Sequence, residues 1–96
     1  MDSQVGLIER ESELAALSIY PNPSTEFINV NLGERASGKG KLEITDISGR
    51  IVLKTEVLPG YAIYQLQISD LPQGLYMISW IEDGELKARN KLIRTR

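Results

Sequence analysis

From Leu17 onward, short runs of alternating apolar and polar residues are separated by turn-forming residues about every ten positions. In one such run, Ile28, Val30 and Leu32 alternate with asparagines. A period of two places successive side chains on opposite faces of a strand, so each run fits a strand with one buried face. The repeated spacing predicts an all-β domain without a helix.

About seven such runs can be counted, which is the number expected for an immunoglobulin-like antiparallel β-sandwich. The run Ile51 to Val57 opens with Ile, Val and Leu, so we expect it to be buried on both sides where it begins. The run Leu75 to Ile81 is apolar on both faces, which predicts a central strand. The remaining strands are expected near residues 17–20, 26–32, 41–45, 61–69 and 85–94.

Two turns between these runs contain residues with a defined conformational role. Asp46 can accept hydrogen bonds from backbone amides two residues later, and Gly49 can adopt the positive φ that closes such a turn. Asp83-Gly84 is a sequence favoured in two-residue type I′ turns, in which both central residues have positive φ. The second turn therefore predicts a hairpin between the last two strands.

The segment Tyr20-Pro21-Asn22-Pro23-Ser24 interrupts the alternation near the start of the domain. Proline fixes φ, lacks an amide hydrogen and pushes the preceding residue towards extended geometry. These properties predict a stiff, extended connector that cannot continue a sheet. The connector is either a rigid beginning for the sandwich or a recognition element, and prolines in loops are more often structural.

The composition excludes several kinds of chemistry. The chain contains no histidine and no cysteine, so histidine-based triads, thiol catalysis, disulfides and zinc fingers lack their atoms. The acidic residues lack the spacing of a calcium-binding loop, and no phosphate-binding loop is present. A formal net charge of -2 argues against an electrostatic nucleic-acid binder, and no apolar run is long enough to span a membrane. We therefore predict no catalytic residue, metal site or cofactor.

Charge is distributed unevenly along the chain. Residues 1–16 are mainly acidic and polar, and we interpret them as a flexible linker from a parent protein, followed by a domain at residues 17–96. From Lys87 to the end lie five of the eleven basic residues. Lysines on a terminal strand commonly protect an exposed sheet edge, but this basic edge is also a candidate docking surface. Tyr76 and Trp80 are expected in the core.

Three motifs occur in an order that resembles one known family. They are Ile19-Tyr20-Pro21-Asn22-Pro23 followed by Phe27 to Val30; Asp46-Ile47-Ser48-Gly49-Arg50-Ile51-Val52 with Leu71-Pro72-Gln73-Gly74-Leu75-Tyr76-Met77-Ile78 downstream; and Lys91-Leu92-Ile93-Arg94. Over residues 17–96, the ordered set resembles the type A C-terminal sorting domain of the type IX (Por) secretion system of Bacteroidota. Each motif is weak alone, and the specificity lies in their order.

The resemblance implies a secretion signal rather than an enzyme. Such domains follow a cargo domain in the same parent chain, which reaches the periplasm through a separate N-terminal signal. Outer-membrane translocation components recognise the folded domain. A sortase-like protease then removes it, here within residues 1–17, and the cargo is released or attached at the cell surface. The implied recognition and docking residues are Pro21, Asn22, Pro23, Gly49, Gly74, Tyr76, Lys87, Arg89, Lys91, Leu92, Ile93 and Arg94.

A different class of function remains open, namely a non-catalytic immunoglobulin- or fibronectin-like accessory module of a secreted enzyme. A spacer module needs no binding site, whereas a carbohydrate-binding module needs an exposed aromatic platform. Exposure of Trp80 and Tyr61 together on one flat face would favour carbohydrate binding.

Overall fold

A computed structural model of the chain describes residues 15–33 and 39–96, most of which lie in strands. The predicted linker at residues 1–16 lies outside the described residues except for its last two, which form a short strand. The strands are β1 (Ala15–Ala16), β2 (Ser18–Tyr20), β3 (Phe27–Asn31), β4 (Gly40–Thr45), β5 (Ile51–Val57), β6 (Ile63–Gln67), β7 (Gly74–Glu82) and β8 (Glu85–Arg94).

The strands form two sheets. The larger sheet has the order β1-β8-β7-β4-β5, and the smaller sheet has the order β2-β3-β6. The pairs between described strands are antiparallel except for β1 with β8, which is parallel. The prediction of an antiparallel β-sandwich is confirmed. The immunoglobulin-like subtype stays a prediction.

The core is built by alternate residues of the strands. Tyr76, Ile78 and Trp80 of β7 are buried, which confirms that Tyr76 and Trp80 belong to the core. The other buried apolar residues are Leu17, Ile28, Val30, Leu32, Leu42, Ile44, Val57, Leu66, Ile68, Ala88 and Leu92. Removing apolar surface from water stabilises the fold by about 25 cal/mol per Å², and a small domain without disulfides depends on this term.

The predicted position of β7 is confirmed, and that of β5 is wrong. β7 lies between β8 and β4, as a central strand should. β5 forms an edge of the larger sheet, paired with β4 alone among the described strands. Ile51 is 48% exposed, and Val52 and Leu53 are only half-buried. Because an edge strand is covered from one side only, even a consecutive apolar run there stays partly in water.

The proline segment, residues 20–24, is not extended as predicted. The peptide bonds before Pro21 and Pro23 are cis, and the chain bends between them. The preference of a residue that precedes proline concerns its own φ and ψ and does not specify the isomer of the following bond. β2 ends within this segment, and after the bends Ser24 forms a single parallel bridge to Arg94 of β8.

Both turns that were predicted from their residues are confirmed. Asp46 Oδ1 accepts a hydrogen bond from the backbone nitrogen of Ser48 at 2.9 Å, and Gly49 has a φ of 90°. In the hairpin between β7 and β8, Asp83 has a φ of 54° and Gly84 a φ of 77°. The positive φ at both positions matches a type I′ turn, whose twist suits antiparallel strands.

We expect two neighbouring residues of β8 to differ in their effect on stability. Leu92 is fully buried, whereas Ile93 is 41% exposed on the outer face of the larger sheet. Leu92→Ala should lower the free energy of unfolding by about 2–5 kcal/mol because it leaves a cavity. Ile93→Ala should lower it by less than about 1 kcal/mol. Chemical denaturation followed by Trp80 fluorescence measures both, and equal losses would contradict this orientation of β8.

Candidate docking surface

Motifs that are far apart in the sequence meet at one end of the larger sheet. Met77 of β7 lies opposite Thr45 of β4 on one side and opposite Lys91 of β8 on the other. The turn that begins at Asp46 follows β4 directly, so it lies beside these paired residues. The residues that line the groove formed here are Asp46, Ile47, Leu75, Tyr76, Met77 and Lys91.

Asn22 attaches the proline segment to the last strand through its side chain. Its Nδ2 donates to the backbone oxygen of Lys91 at 2.9 Å, and its Oδ1 accepts from the backbone nitrogen of Ile93 at 3.0 Å. A strand residue would present one donor and one acceptor in a similar way, so the carboxamide substitutes for a backbone pair. Pro21 and Pro23, which flank it, are exposed.

Backbone groups continue this pairing along the same edge of β8. The Leu17 nitrogen donates to the Arg89 oxygen at 3.1 Å, and the Ser24 nitrogen donates to the Ile93 oxygen at 3.0 Å. We call residues 15–24, which include β1, the cover segment. Residues of this segment bond to the edge of β8 that faces away from β7. From Ala88 to Arg94 this edge of β8 is therefore covered, so Lys91 does not lie on an exposed edge.

Arg94 directs its guanidinium group into the domain. Its Nε donates to the Ile68 oxygen at 3.1 Å, and its Nη2 donates to the Ser69 oxygen at 3.0 Å, just after β6. Its Nη1 donates to the Thr95 oxygen. These bonds tie the end of β8 to the smaller sheet, so this predicted docking residue has a structural role.

Three other predicted docking residues support the surface from within or through the backbone. Leu92 is fully buried, and Tyr76 is 6% exposed. The Tyr76 hydroxyl donates to the Pro72 oxygen at 2.5 Å, which connects the start of β7 to the preceding turn. Gly74 begins β7 opposite Arg94. A partner of the folded domain would therefore contact their neighbours more readily than these side chains.

Gly49 belongs to the turn that presents Ile47 beside the groove. Asp46 Oδ1 accepts from the Ser48 hydroxyl at 2.6 Å and from the Arg50 nitrogen at 3.0 Å. The Ser48 hydroxyl, followed by the Arg50 amide, holds the pKa of the Asp46 carboxyl below its ordinary value of 3.8. The carboxylate is thus engaged in organising its own turn.

The outer face of β8 carries three exposed cationic residues from the predicted set. Lys87 Nζ lies 2.9 Å from Glu85 Oε1. The hydrogen bond between them raises the pKa of Lys87 and lowers the pKa of Glu85. Neither Arg89 nor Lys91 has an ion pair with a residue in the described part of the chain. Two positive charges on the outer face of β8 therefore have no ion-pair partner among the described residues, although the carboxylate of Asp46 lines the same groove as Lys91.

The sequence reasoning missed exposed apolar residues around the groove. Ile47 is 86% exposed and Leu75 is 46% exposed. Ile93 lies directly opposite Leu75, so their side chains are neighbours on the outer face. The available signal was Ile47, an apolar residue within a turn of polar ones. We define the outer patch as Ile47, Leu75, Met77, Lys91 and Ile93.

The outer patch surrounds a small groove. Its groove has a volume of about 210 Å³, below the roughly 300–1,000 Å³ typical of small-molecule sites. Within residues 15–33 and 39–96, no three acidic side chains are grouped as a metal site would require. The same residues contain no helix that is long and apolar enough to cross a membrane.

Comparison with protein families gives a match across most of the chain. The family model described as secretion system C-terminal sorting domain matches residues 18–95. The matched range includes the proline segment, the Asp46 turn and the whole outer patch. No curated protein matches the chain.

We expect Asn22→Ala to loosen one specific amide of β8. In the folded domain the backbone amide of Ile93 donates to Asn22. The backbone amide of the neighbouring Leu92 points towards β7, because successive amides of a strand point to alternate sides. Loss of one net hydrogen bond should speed exchange of the Ile93 amide about two- to tenfold. Hydrogen exchange followed by NMR measures this, with the Leu92 amide as internal control. Unchanged exchange at Ile93 would contradict the assigned bond.

The Asp46 turn should make stability depend on pH. A carboxyl whose folded pKa is depressed contributes stability above its unfolded pKa of about 3.9 and loses that contribution as the pH falls through its folded pKa. Asp46→Asn should therefore lower the melting temperature at pH 7, and the difference from wild type should shrink below about pH 4. Asp70→Asn is the matched control, because Asp70 is an exposed aspartate in another turn. A difference that stays constant with pH would contradict this role of Asp46.

Proposed function

The chain belongs to the family of secretion system C-terminal sorting domains, and from that premise we propose that it is a removable sorting signal of a larger secreted protein. The family assigns it as a sorting signal of type IX secretion. In our proposal the domain directs an attached cargo from the periplasm across the outer membrane. A sortase-like protease then separates the domain from the cargo, which is released or retained at the cell surface.

The observation that carries the proposal is the meeting of separate motifs on one folded surface. The Asp46 turn, the start of β7 and the end of β8 contribute to a single groove. The proline segment is bonded to the other side of β8 through Asn22. A signal assembled in this way exists only after folding, which supports recognition of the folded domain by outer-membrane translocation components.

The proposed cleavage lies in front of the sandwich. Residues 1–16 carry four acidic residues and one basic residue, and linkers between domains are preferred sites of proteolysis. A cut before Ala15 leaves the eight strands of the described residues on one fragment. Removal of the domain therefore need not unfold it, and the cargo on the other fragment loses its sorting signal.

The proposal gives the domain itself no catalytic step. It acts by binding, through residues such as Arg89, Lys91 and Ile93 that face outward on β8. The partners are the translocation and sortase-like components of the type IX system, together with the cargo domain that precedes it in the parent chain. No nucleic acid or membrane-spanning segment has a part in this function.

The accessory-module alternative finds less support. Trp80 is fully buried, whereas Tyr61 is 60% exposed, so the two do not form a shared aromatic platform for carbohydrate. Tyr61 instead packs edge-to-face on Tyr64, with ring centroids 6.1 Å apart. A spacer module would give no reason for the motifs to meet around one groove.

A cargo fusion tests the proposal. A reporter with an N-terminal export signal, followed by residues 1–96, should appear outside a type IX-competent bacterium. The same fusion lacking residues 91–96 should stay in the periplasm, because it loses buried Leu92 and the outer side chains of β8. The control is a host that lacks the type IX translocation machinery. Equal secretion of the reporter in that host, or without the domain, would overturn the proposal.

The cleavage step has a separate readout. In a host without the sortase-like protease, the fusion should keep its full mass. In the competent host it should be shortened by the sandwich and part of residues 1–17, as measured by mass spectrometry. Secretion of an uncut fusion from the competent host would contradict removal of the domain while leaving its sorting role intact.

A further inference from the structure

We propose that the outer patch binds a segment of the outer-membrane translocation machinery in which an apolar side chain lies next to a carboxylate. This inference rests on the proposed function, because it names the chemistry of the partner at the surface where the motifs meet. It adds a site and a ligand chemistry to what family membership implies.

The apolar side chain of the proposed ligand is inferred from a cluster of exposed apolar residues. Ile47, Leu75 and Ile93 are 86%, 46% and 41% exposed, and each is a branched side chain that water solvates poorly. Leu75 and Ile93 are cross-strand partners on one face, and Ile47 lines the same groove as Leu75. Single exposed apolar residues are ordinary, but a contiguous group at a groove is typical of an interaction site.

The carboxylate of the proposed ligand is inferred from the positive charges near these apolar residues. Lys91 lines the groove, and Arg89 lies two residues away on the same face of β8. Elsewhere on the larger sheet Lys41 is compensated by Glu43 at 3.3 Å, whereas Arg89 and Lys91 have no ion pair with any described residue. The carboxylate of Asp46, which also lines the groove, already accepts bonds from its own turn. A partner carboxylate would supply the missing counter-charge.

The small size of the groove favours individual side chains of a partner as its occupant. The volume of about 210 Å³ falls below the roughly 300–1,000 Å³ of small-molecule pockets. The occupant is therefore a short protein segment rather than a diffusible cofactor. Its apolar residue would fill the groove between Ile47 and Met77, and its acidic neighbour would face Lys91.

The covered edge of β8 determines how the partner can bind. Strand addition needs free backbone groups at a sheet edge. On β8 those groups are bonded to the cover segment, for example Lys91 and Ile93 to Asn22. The partner therefore binds the outer side chains of the strand rather than pairing with its backbone, and charge and shape complementarity provide the specificity.

Binding of the 96-residue chain to the purified type IX outer-membrane translocation complex tests the proposal. Leu75→Asp and Lys91→Glu should each raise the dissociation constant by about tenfold or more. Matched controls are Ile63→Asp on β6 and Lys54→Glu on β5, which make the same chemical changes at exposed positions outside the patch. Circular dichroism confirms that each variant is folded. Wild-type binding should also weaken as salt rises, because salt screens the partner's carboxylates.

The alternative outcomes are distinct. Wild-type binding by both patch variants would overturn the proposal, and loss with Leu75→Asp alone, without salt dependence, would overturn its acidic half. A concentration-dependent dimer in sedimentation that Leu75→Asp abolishes would assign the patch to a second copy of this chain. Binding to vesicles of anionic lipid that Lys91→Glu abolishes would assign it to a membrane surface. If the wild-type cargo fusion is not secreted at all, the proposed function fails. If the wild-type fusion and the fusions that carry Leu75→Asp or Lys91→Glu are secreted alike, only this inference fails.

Discussion

The outer edge of β8 is the constraint on which the rest of the structure depends. A strand at the side of a sheet presents unpaired N–H and C=O groups that would otherwise pair with another chain. Here the cover segment supplies partners from the backbone of Leu17 and Ser24 and from the side chain of Asn22. The proline segment bends and does not pair with β8 through its backbone alone, so the Asn22 carboxamide supplies the remaining hydrogen bonds. These bonds join the first and last parts of the domain.

This closure separates two roles that lie close together on β8. The backbone of the strand is bonded to β7 on one side and, from Ala88 to Arg94, to the cover segment on the other. Inward side chains such as Leu92 hold the sandwich together. What remains available to a partner is the outward row of Arg89, Lys91 and Ile93. If the proposed sorting signal consists of these outward side chains, a partner can recognise it without opening the fold.

Several features could be predicted from the sequence because they depend on near neighbours. The alternation of Ile28 and Val30 specifies a buried face, and Asp83-Gly84 specifies a hairpin through its positive φ angles. The position of β5 could not be predicted in this way. Whether the apolar start at Ile51 is central or at an edge depends on which strands pair with it, and that pairing is non-local.

The candidate site shows the same division. The docking residues were predicted as a set, but Tyr76 and Leu92 lie under the surface and Arg94 binds backbone carbonyl oxygens at the end of β6. The exposed cluster around Ile47 was missed, because exposure of an apolar residue depends on the neighbours that fail to cover it. The cis bonds of the proline segment were missed as well, since the local preferences of proline allow both isomers.

By itself the sequence determined the strand content, the turns, the exclusion of histidine and cysteine chemistry and, through the order of its motifs, the family. The tertiary structure alone decided which of those motif residues face outward and which are buried. It also decided that Asn22 bonds to Lys91, although they lie 69 residues apart. The physical reason is range: alternation and φ preferences act between neighbours in the chain, whereas edge pairing, burial and charge compensation depend on which distant segments the fold brings together.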